Sequence, residues 1–237
     1  MKYENIDEII IKLKEIKALG YVKTIYSHDG GVGNTLEKLL GIPENNLYLP
    51  DLGSVEIKAA RLKSNSMLTL TSKAPLPRGT NAKLYDNFSY PSEKDGLIKC
   101  YIDIYGNRTN KHGLKIIFKD DKLVIENNKQ IEAHWILKDL WDQLNTKADK
   151  ILLTNALTKG EKNSQDEKFY YFETYLLSGL RFNRFKDAIK NGKVKVELRI
   201  GIDKSGKRKG KVHDHGTAIR ISKQDFLHLF DEHTQYI

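Results

Sequence analysis

The residues best suited to chemistry sit in one short run, Leu49-Pro50-Asp51-Leu52-Gly53-Ser54-Val55-Glu56-Ile57-Lys58. Its form is Pro-Asp, a short spacer, then Glu-X-Lys inside an apolar strand pattern. Two carboxylates and an ammonium are costly at the core end of a strand unless they are paired or functional. A strand alternates its faces, so Glu56 and Lys58 point one way and Ile57 the other, into the core. Asp51 precedes the strand and can curl back onto the charged face. Converging carboxylates suit a hard divalent cation such as Mg²⁺. An adjacent lysine can orient or activate water at that cation. This is the chemistry of metal-dependent phosphodiester hydrolysis. The competing reading is an edge strand whose charged face is simply wet.

A second group lies near the C-terminus. Between Asp203 and Arg220 stand Lys204, Lys207, Arg208, Lys209, Lys211 and Arg220 against Asp203 and Asp214. The 237-residue chain carries a net charge of +9, which favours a polyanion as partner. The basic cluster reads as a phosphate-contact surface or as a solvated loop. Arg199 and Arg220 fall in strand-like segments flanking it, and arginine reads guanine bidentately through O6 and N7. His213 and His215 are two apart, hence on one face if extended, and can donate to guanine acceptors. Asp214 faces the other way or accepts from cytosine N4. A His-X-His metal pair needs further ligands, which the neighbouring sequence does not offer; plain surface polarity is the third reading. Lys207, Arg208, Lys209 and Lys211 suit phosphates, which position without specifying. Arg78, after a proline break, is a further phosphate or groove candidate. An RNA-binding module would set aromatic residues in one sheet, whereas the 12 tyrosines are scattered.

The elements that must hold these groups read as a mixture of helices and strands. Residues 6 to 18 carry Ile6, Ile9, Ile10, Leu13 and Ile16 at helical spacing, with Gly20 as a stop. Tyr21 to Tyr26 reads as a short extended segment. The glycine-rich loop from Ser27 to Asn34 lacks the Gly-Lys-Ser/Thr of a nucleotide cradle. Thr35 is the expected cap of a helix carrying Leu36, Leu39 and Leu40 and ending at Gly41. Strands are expected at Val55–Ala60, Leu68–Ala74, Lys99–Ile104, Lys115–Lys119 and Leu123–Glu126, with Asp120-Asp121 as a tight turn. Residues 80 to 97 read as loop with a short helix. Residues 132 to 146 predict a helix with Trp135, Ile136, Leu140, Trp141 and Leu144 on its core face. Further strands are expected at Ile151–Leu153, Lys168–Leu177, Val194–Ile200 and Ala218–Ile221, with a helix at Leu180–Lys190 and a short closing helix around Phe226, Leu227 and Phe230. No apolar stretch approaches the ~20 residues that span a bilayer, and the acidic N-terminus does not fit a secretory signal. One cysteine, Cys100, forms no internal disulfide and reads as a small core residue; a reducing, cytoplasmic setting is the expectation. The shift near residue 180 is the candidate lobe boundary.

The blocks Gly33-Asn34-Thr35-Leu36-Glu37-Lys38-Leu39-Leu40-Gly41, Glu44-Asn45-Asn46, Pro50-Asp51 and Glu56-Ile57-Lys58 together resemble the MvaI/BcnI type of restriction endonuclease. They are similar, more loosely, to the MutH type of mismatch-repair nicking enzyme. Leu68-Thr69-Leu70 and Pro77-Arg78-Gly79 resemble the segment after the family's catalytic strand. Arg199-Ile200-Gly201, Ser205-Gly206-Lys207, Gly210-Lys211, His213 to Ala218 and Arg220-Ile221 resemble its C-terminal region. Several ordered blocks in one chain are more specific than any one motif. The chain departs from the family's pattern at Ile202-Asp203-Lys204.

The resemblance implies an α/β (α+β, mixed-sheet) PD-(D/E)XK restriction-endonuclease-like fold, with a catalytic lobe over residues 1–179 and a DNA-recognition lobe over 180–237 forming a clamp. It implies a type II restriction endonuclease, a monomer that cuts double-stranded DNA with Mg²⁺ by sequential nicking and leaves 5′-phosphate ends. Asp51, Glu56 and Lys58 match the catalytic trio, Glu37 the extra acidic residue, and the backbone carbonyl of Ile57 joins Asp51 and Glu56 as a metal ligand. It favours base recognition by the histidine pair, a G·C-rich pseudopalindromic target of the CC-N-GG type, and a cognate DNA methyltransferase, with no obligate protein partner. The rivals are a MutH-like nickase and a non-catalytic DNA-binding protein; the C-terminal blocks argue against the first, and the intact trio against the second.

Overall fold

The computed structural model describes residues 3, 5–42, 51, 54–63, 67–93, 96–147, 150–203 and 206–237. The sequence blocks at 44–46, 50, 52–53 and 204–205 lie outside the described residues. The chain forms two compact units, each built from discontinuous segments: residues 1–66, 145–181 and 226–237 in the first, and 67–144 and 182–225 in the second. A single cut at 180 partitions the chain differently. It coincides with the crossing at residues 181–182, but residues 67–144 fold with the C-terminal segment because their strands pair with it.

In chain order the first segment supplies α1 (Ile6–Ala18), β1 (Val22–Lys23), α2 (Gly31–Leu40) and β2 (Val55–Arg61). Asn5 caps α1 by accepting from the Glu8 N–H. Its apolar stripe Ile9, Ile10, Leu13 and Ile16 is buried. The glycine-rich loop is shorter than expected. Its last glycines are already helical, and Thr35 lies inside α2, buried, where its Oγ1 accepts from Ile25 N. Gly31 is required there: a Cβ would meet Tyr26 O at 2.4 Å. Gly41, at φ 69°, closes α2 in a left-handed cap.

Next come β3 (Leu68–Ser72), α3 (Thr80–Phe88), β4 (Tyr90–Pro91), β5 (Ile98–Tyr105), β6 (Lys115–Lys119), β7 (Lys122–Glu126), β8 (His134–Ile136) and α4 (Leu137–Lys147). The helix expected from residue 132 therefore starts five residues later. Trp135 sits in β8, antiparallel to β7, almost fully buried, with its indole N–H donating to Lys73 O at 2.9 Å. The chain continues with β9 (Lys150–Lys159), β10 (Lys168–Leu180), α5 (Phe182–Lys190), β11 (Val194–Ile202), β12 (Val212–Asp214), β13 (Ala218–Ile221), α6 (Lys223–Phe226) and β14 (Phe230–Gln235). The closing helical turn is present, but a strand follows it, pairing antiparallel with β10.

The first unit holds a five-stranded sheet ordered β1-β10-β9-β2, with β14 also on β10. β2 and β9 are parallel; the other pairs are antiparallel. Ile9, Leu13, Leu36, Val55, Ile57, Leu152, Phe169 and Tyr171 belong to one buried cluster that joins α1 and α2 to this sheet. The second unit holds a six-stranded sheet, β3-β13-β11-β5-β4 with β12 on β11, and a three-stranded sheet, β6-β7-β8. No helix among the described residues is long and apolar enough to cross a membrane.

Candidate active site

Strand β2 shows why charge sits in its interior. Val55 and Ile57 face the helices in the core cluster, so Glu56 and Lys58 share the opposite face. Glu56 is 6% exposed. In the parallel register Glu56 lies beside Ile151 and Lys58 beside Leu153, both buried and apolar. Lys58 Nζ donates to Glu56 Oε1 at 3.0 Å. Asp51 does curl back: its Oδ2 accepts from Ile57 N at 2.8 Å, which ties the carboxylate to the strand. Burial pushes the Asp51 carboxyl above the usual carboxylate range, and the neighbouring Glu56 charge adds to it, against the Ile57 N–H, Lys58 and Lys147.

Lys147 is the site residue that sequence reasoning missed. It ends α4, and its Nζ stands 3.9 Å from Glu56 Oε2. No sequence signal marks it, because the contact joins residues 91 apart in a lysine-rich chain. Glu37 is half-buried on α2, the helix that packs on β2. At the far end of β2, Arg61 has the inward parity of Val55 and Ile57, and that parity is the signal that it needs a partner. It forms a bidentate pair with Glu167, Nε–Oε1 2.6 Å and Nη2–Oε2 2.8 Å, both side chains being nearly inaccessible. Its Nη1 donates to Asp29 O, which fixes the loop before α2. Burial alone would raise the Glu167 carboxyl, but the Arg61 guanidinium and the Asn163 N–H hold it below the usual range.

The residues fit a divalent cation. Glu56 Oε2 is buried without a hydrogen-bond partner, the Lys147 ammonium at 3.9 Å standing too far to donate, and a buried carboxylate oxygen left so has room for a closer cation. Asp51 supplies a second carboxylate in repulsion with the first. Among the described residues no group of three or more His, Cys, Asp or Glu is placed to hold a metal, so the fit rests on this carboxylate pair.

The second unit collects most of the other sequence candidates. Arg199 pairs in register with Tyr101, and Gly201 with His213. These positions and His215 share one sheet face, and the two imidazoles lie 4.8 Å apart edge to face. Asp214 turns to the other side. It accepts from Asn81 Nδ2, Thr217 Oγ1 and Gly216 N, so it fastens a turn rather than standing open to a base. Arg199 donates Nε to Gly216 O at 2.8 Å. Arg220 donates Nη1 to Glu197 and Nη2 to Met67 O, so both arginines brace the sheet. Lys207, Lys209 and Lys211 are exposed on the hairpin between β11 and β12, and the backbone of Arg208 lies with them in a 3₁₀ turn. Arg78 is exposed just before α3. Cys100 is fully buried and its thiol is pushed up to about 12 by burial, as a core residue.

Comparison with known proteins follows the same lines. A model of the MvaI/BcnI restriction endonuclease family matches residues 10–230. The structure of restriction endonuclease MvaI in complex with its cognate DNA substrate is 30% identical, with a TM-score of 0.85, covering 99% of this chain and 99% of that one. MvaI in the absence of DNA is likewise 30% identical, with a TM-score of 0.58, covering 99% of this chain and 98% of that one. No curated protein sequence matches the chain. The family model spans most of the chain and the identity extends over its full length, so the relation is one of sequence as well as fold: the chain belongs to the MvaI/BcnI family of restriction endonucleases.

Proposed function

We propose that this restriction endonuclease binds double-stranded DNA and, with Mg²⁺, hydrolyses its phosphodiester bonds at a short G·C-rich pseudopalindromic site of the CC-N-GG type. It acts as a monomer that nicks one strand and then the other, and a cognate methyltransferase protects the host sites. The observation that carries the reading is the convergence of Asp51, Glu56 and Lys58, with a buried Glu56 oxygen lacking a hydrogen-bond donor.

Asp51, Glu56 and the Ile57 carbonyl would hold the cation. Bound there, Mg²⁺ supplies charge to the scissile phosphate and acidifies a water. Lys58 orients the attacking water and offsets the negative charge that builds on the phosphate in the transition state. Glu37 adds a carboxylate from α2. The apolar neighbours Ile151 and Leu153 keep bulk water from the carboxylates, which strengthens every charge interaction there. The first unit is thus the catalytic lobe. In the second, Arg78 and the basic hairpin with Lys207, Arg208, Lys209 and Lys211 meet phosphates. His213 and His215 donate to guanine acceptors. Arg199, Asp214 and Arg220 hold the strands and turn that present them.

The test is digestion of a sequenced supercoiled plasmid with Mg²⁺, beside EDTA and Asp51→Ala controls. Discrete fragments that need both Mg²⁺ and Asp51 are expected, and sequencing their ends gives the target. An intact plasmid, or a smear that Asp51→Ala does not abolish, would refute the reading.

A further inference from the structure

We infer that an open cavity in the second unit reads the C5 position of one pyrimidine in the target, with Tyr101 and Ile202 as specificity-determining residues. The inference rests on the DNA-cleaving function proposed above and deepens it.

The cavity, of about 480 Å³, is lined by Leu97, Ile98, Lys99, Tyr101, Ile202, Asp203 and His215, with Gly96 and Gly201. Sheet geometry puts Tyr101, Gly201 and His215 there, while Ile98 and Ile202, of opposite parity, join from the ends of their strands. Along β5, Cys100, Ile102 and Ile104 are buried, so Tyr101 stands on the opposite face, 42% exposed. Register sets Arg199 beside it on β11. Two residues on, Gly201 leaves room for His215: a Cβ there would meet His215 Nε2 at 3.1 Å. His215 meets the Tyr101 ring edge to face at 6.3 Å.

The lining is unusual for a surface. Leu97, Ile98, Tyr101 and Ile202 are all exposed apolar side chains. A single exposed apolar residue needs no explanation, but four around one cavity form a patch, and patches mark binding sites. Charge selects the occupant. Lys99 Nζ lies over the Tyr101 ring at 5.6 Å. His213 adjoins His215, and the same hairpin carries exposed Lys207, Lys209 and Lys211. Lys99 and Asp203 are the charged residues of the lining itself; the lysine-bearing hairpin that continues from Ile202, in a chain of net charge +9, suits duplex DNA. In the major groove the apolar substituent of a base edge is the 5-methyl of thymine, or of 5-methylcytosine. Histidine and lysine donors beside the wall match the O4 or O6 and N7 acceptors of neighbouring bases.

The experiment measures cleavage of duplex oligonucleotides carrying the target. At each pyrimidine in turn, the C5 substituent is switched between hydrogen and methyl: uracil for thymine, and 5-methylcytosine for cytosine. Wild type is compared with Tyr101→Ala, Ile202→Ala and Lys207→Ala. At one position the switch is expected to change the wild-type kcat/KM by roughly tenfold or more. Tyr101→Ala and Ile202→Ala should erase that dependence while preserving preference at the other positions. Lys207→Ala should slow all substrates alike. A C5 profile unchanged in both cavity variants, or lowered uniformly, would overturn the inference, as would a wild type indifferent to C5 at every position. A wild type that cuts no DNA overturns the underlying function instead, so the two failures are distinct. Circular dichroism of both cavity variants separates lost reading from lost folding.

Discussion

Asp51 is held where its charge is unwelcome, and the cation proposed to bind there would relieve it. Its carboxyl lies above the ordinary value, chiefly by burial and then by Glu56. The folded state therefore binds its proton more tightly than the unfolded chain does. Stability from this group is greatest at low pH and declines as pH rises from the unfolded value through the folded one. Asp51→Asn keeps an acceptor for the Ile57 N–H and removes the charge. In EDTA at neutral pH its Tm should exceed that of wild type. With saturating Mg²⁺ the order should reverse, because binding to the folded state stabilises wild type by about 2.7 kcal/mol at a hundredfold excess over Kd. Thermal melts with and without Mg²⁺ check both halves; an equal Mg²⁺ response in the variant would place the cation elsewhere. Glu167 carries the opposite sign. Its carboxyl is depressed in the folded state, burial being outweighed by Arg61 and Asn163. Its contribution is present above the unfolded value and is lost as pH falls through the folded one. Glu167→Gln leaves Arg61 buried with half its partner and should cost about 3–5 kcal/mol at pH 7. Urea titrations should show that gap closing in acid; a gap independent of pH would mean that packing, not the ion pair, sets the loss.

Helix α2 provides a paired test of how an element is placed. A Cβ at Gly31 would meet a backbone oxygen, Tyr26 O, at 2.4 Å, whereas one at Gly33 meets nothing nearer than Glu37 Oε1 at 3.8 Å. Gly31→Ala should cost about 1–3 kcal/mol through overpacking. Gly33→Ala should be neutral or gain up to about 1 kcal/mol, as alanine for glycine inside a helix. Chemical denaturation of the two single variants reads the difference, and equal effects would mean that the loop yields to the intruding methyl. The same helix shows what the sequence alone conveys. Its apolar stripe and Gly41 stop were legible, but its start was not, because the close approach of Gly31 to Tyr26 O is a tertiary fact. Trp135 makes the point again. Its spacing continues the helical stripe of α4, yet pairing with β7 and the Lys73 carbonyl hold it in a strand. β14 was missed because its residues Asp231 to Gln235 are mostly exposed and polar; pairing with β10, not an apolar pattern, makes it a strand. At the site, Glu56 and Lys58 were legible from period-two alternation within one strand. Lys147 and Glu167 were not, since each reaches its partner across a large sequence separation. The bracing roles of Arg199 and Arg220 were hidden too, because an arginine's type does not reveal whether its donors are already engaged.

At the scale of the molecule, net charge and the number of sites set the course of the reaction. One chain carries one Asp51–Glu56–Lys58 set, so on the proposed monomer scheme each productive engagement cuts one strand. A double-strand break then requires either reorientation on the nicked duplex or release and return. The balance between these depends on how long the enzyme stays bound, and attraction to the phosphates governs that. Removing one cation that neutralises a phosphate lowers the slope of log affinity against log salt by about 0.9. On a supercoiled plasmid, nicked circle should appear before linear product, and its peak should rise with salt as release begins to outrun reorientation. In Lys207→Ala/Lys209→Ala/Lys211→Ala the same peak should be reached at lower salt, with the target sequence unchanged, because the proposed role of these exposed lysines is to meet phosphates, which position without specifying. Initial rates should be linear in enzyme concentration for both cuts. Gel quantitation of supercoiled, nicked and linear forms across a salt series measures all three. Linear product without a nicked precursor, or a second-order dependence on enzyme, would require two active sites acting together and would end the monomer scheme.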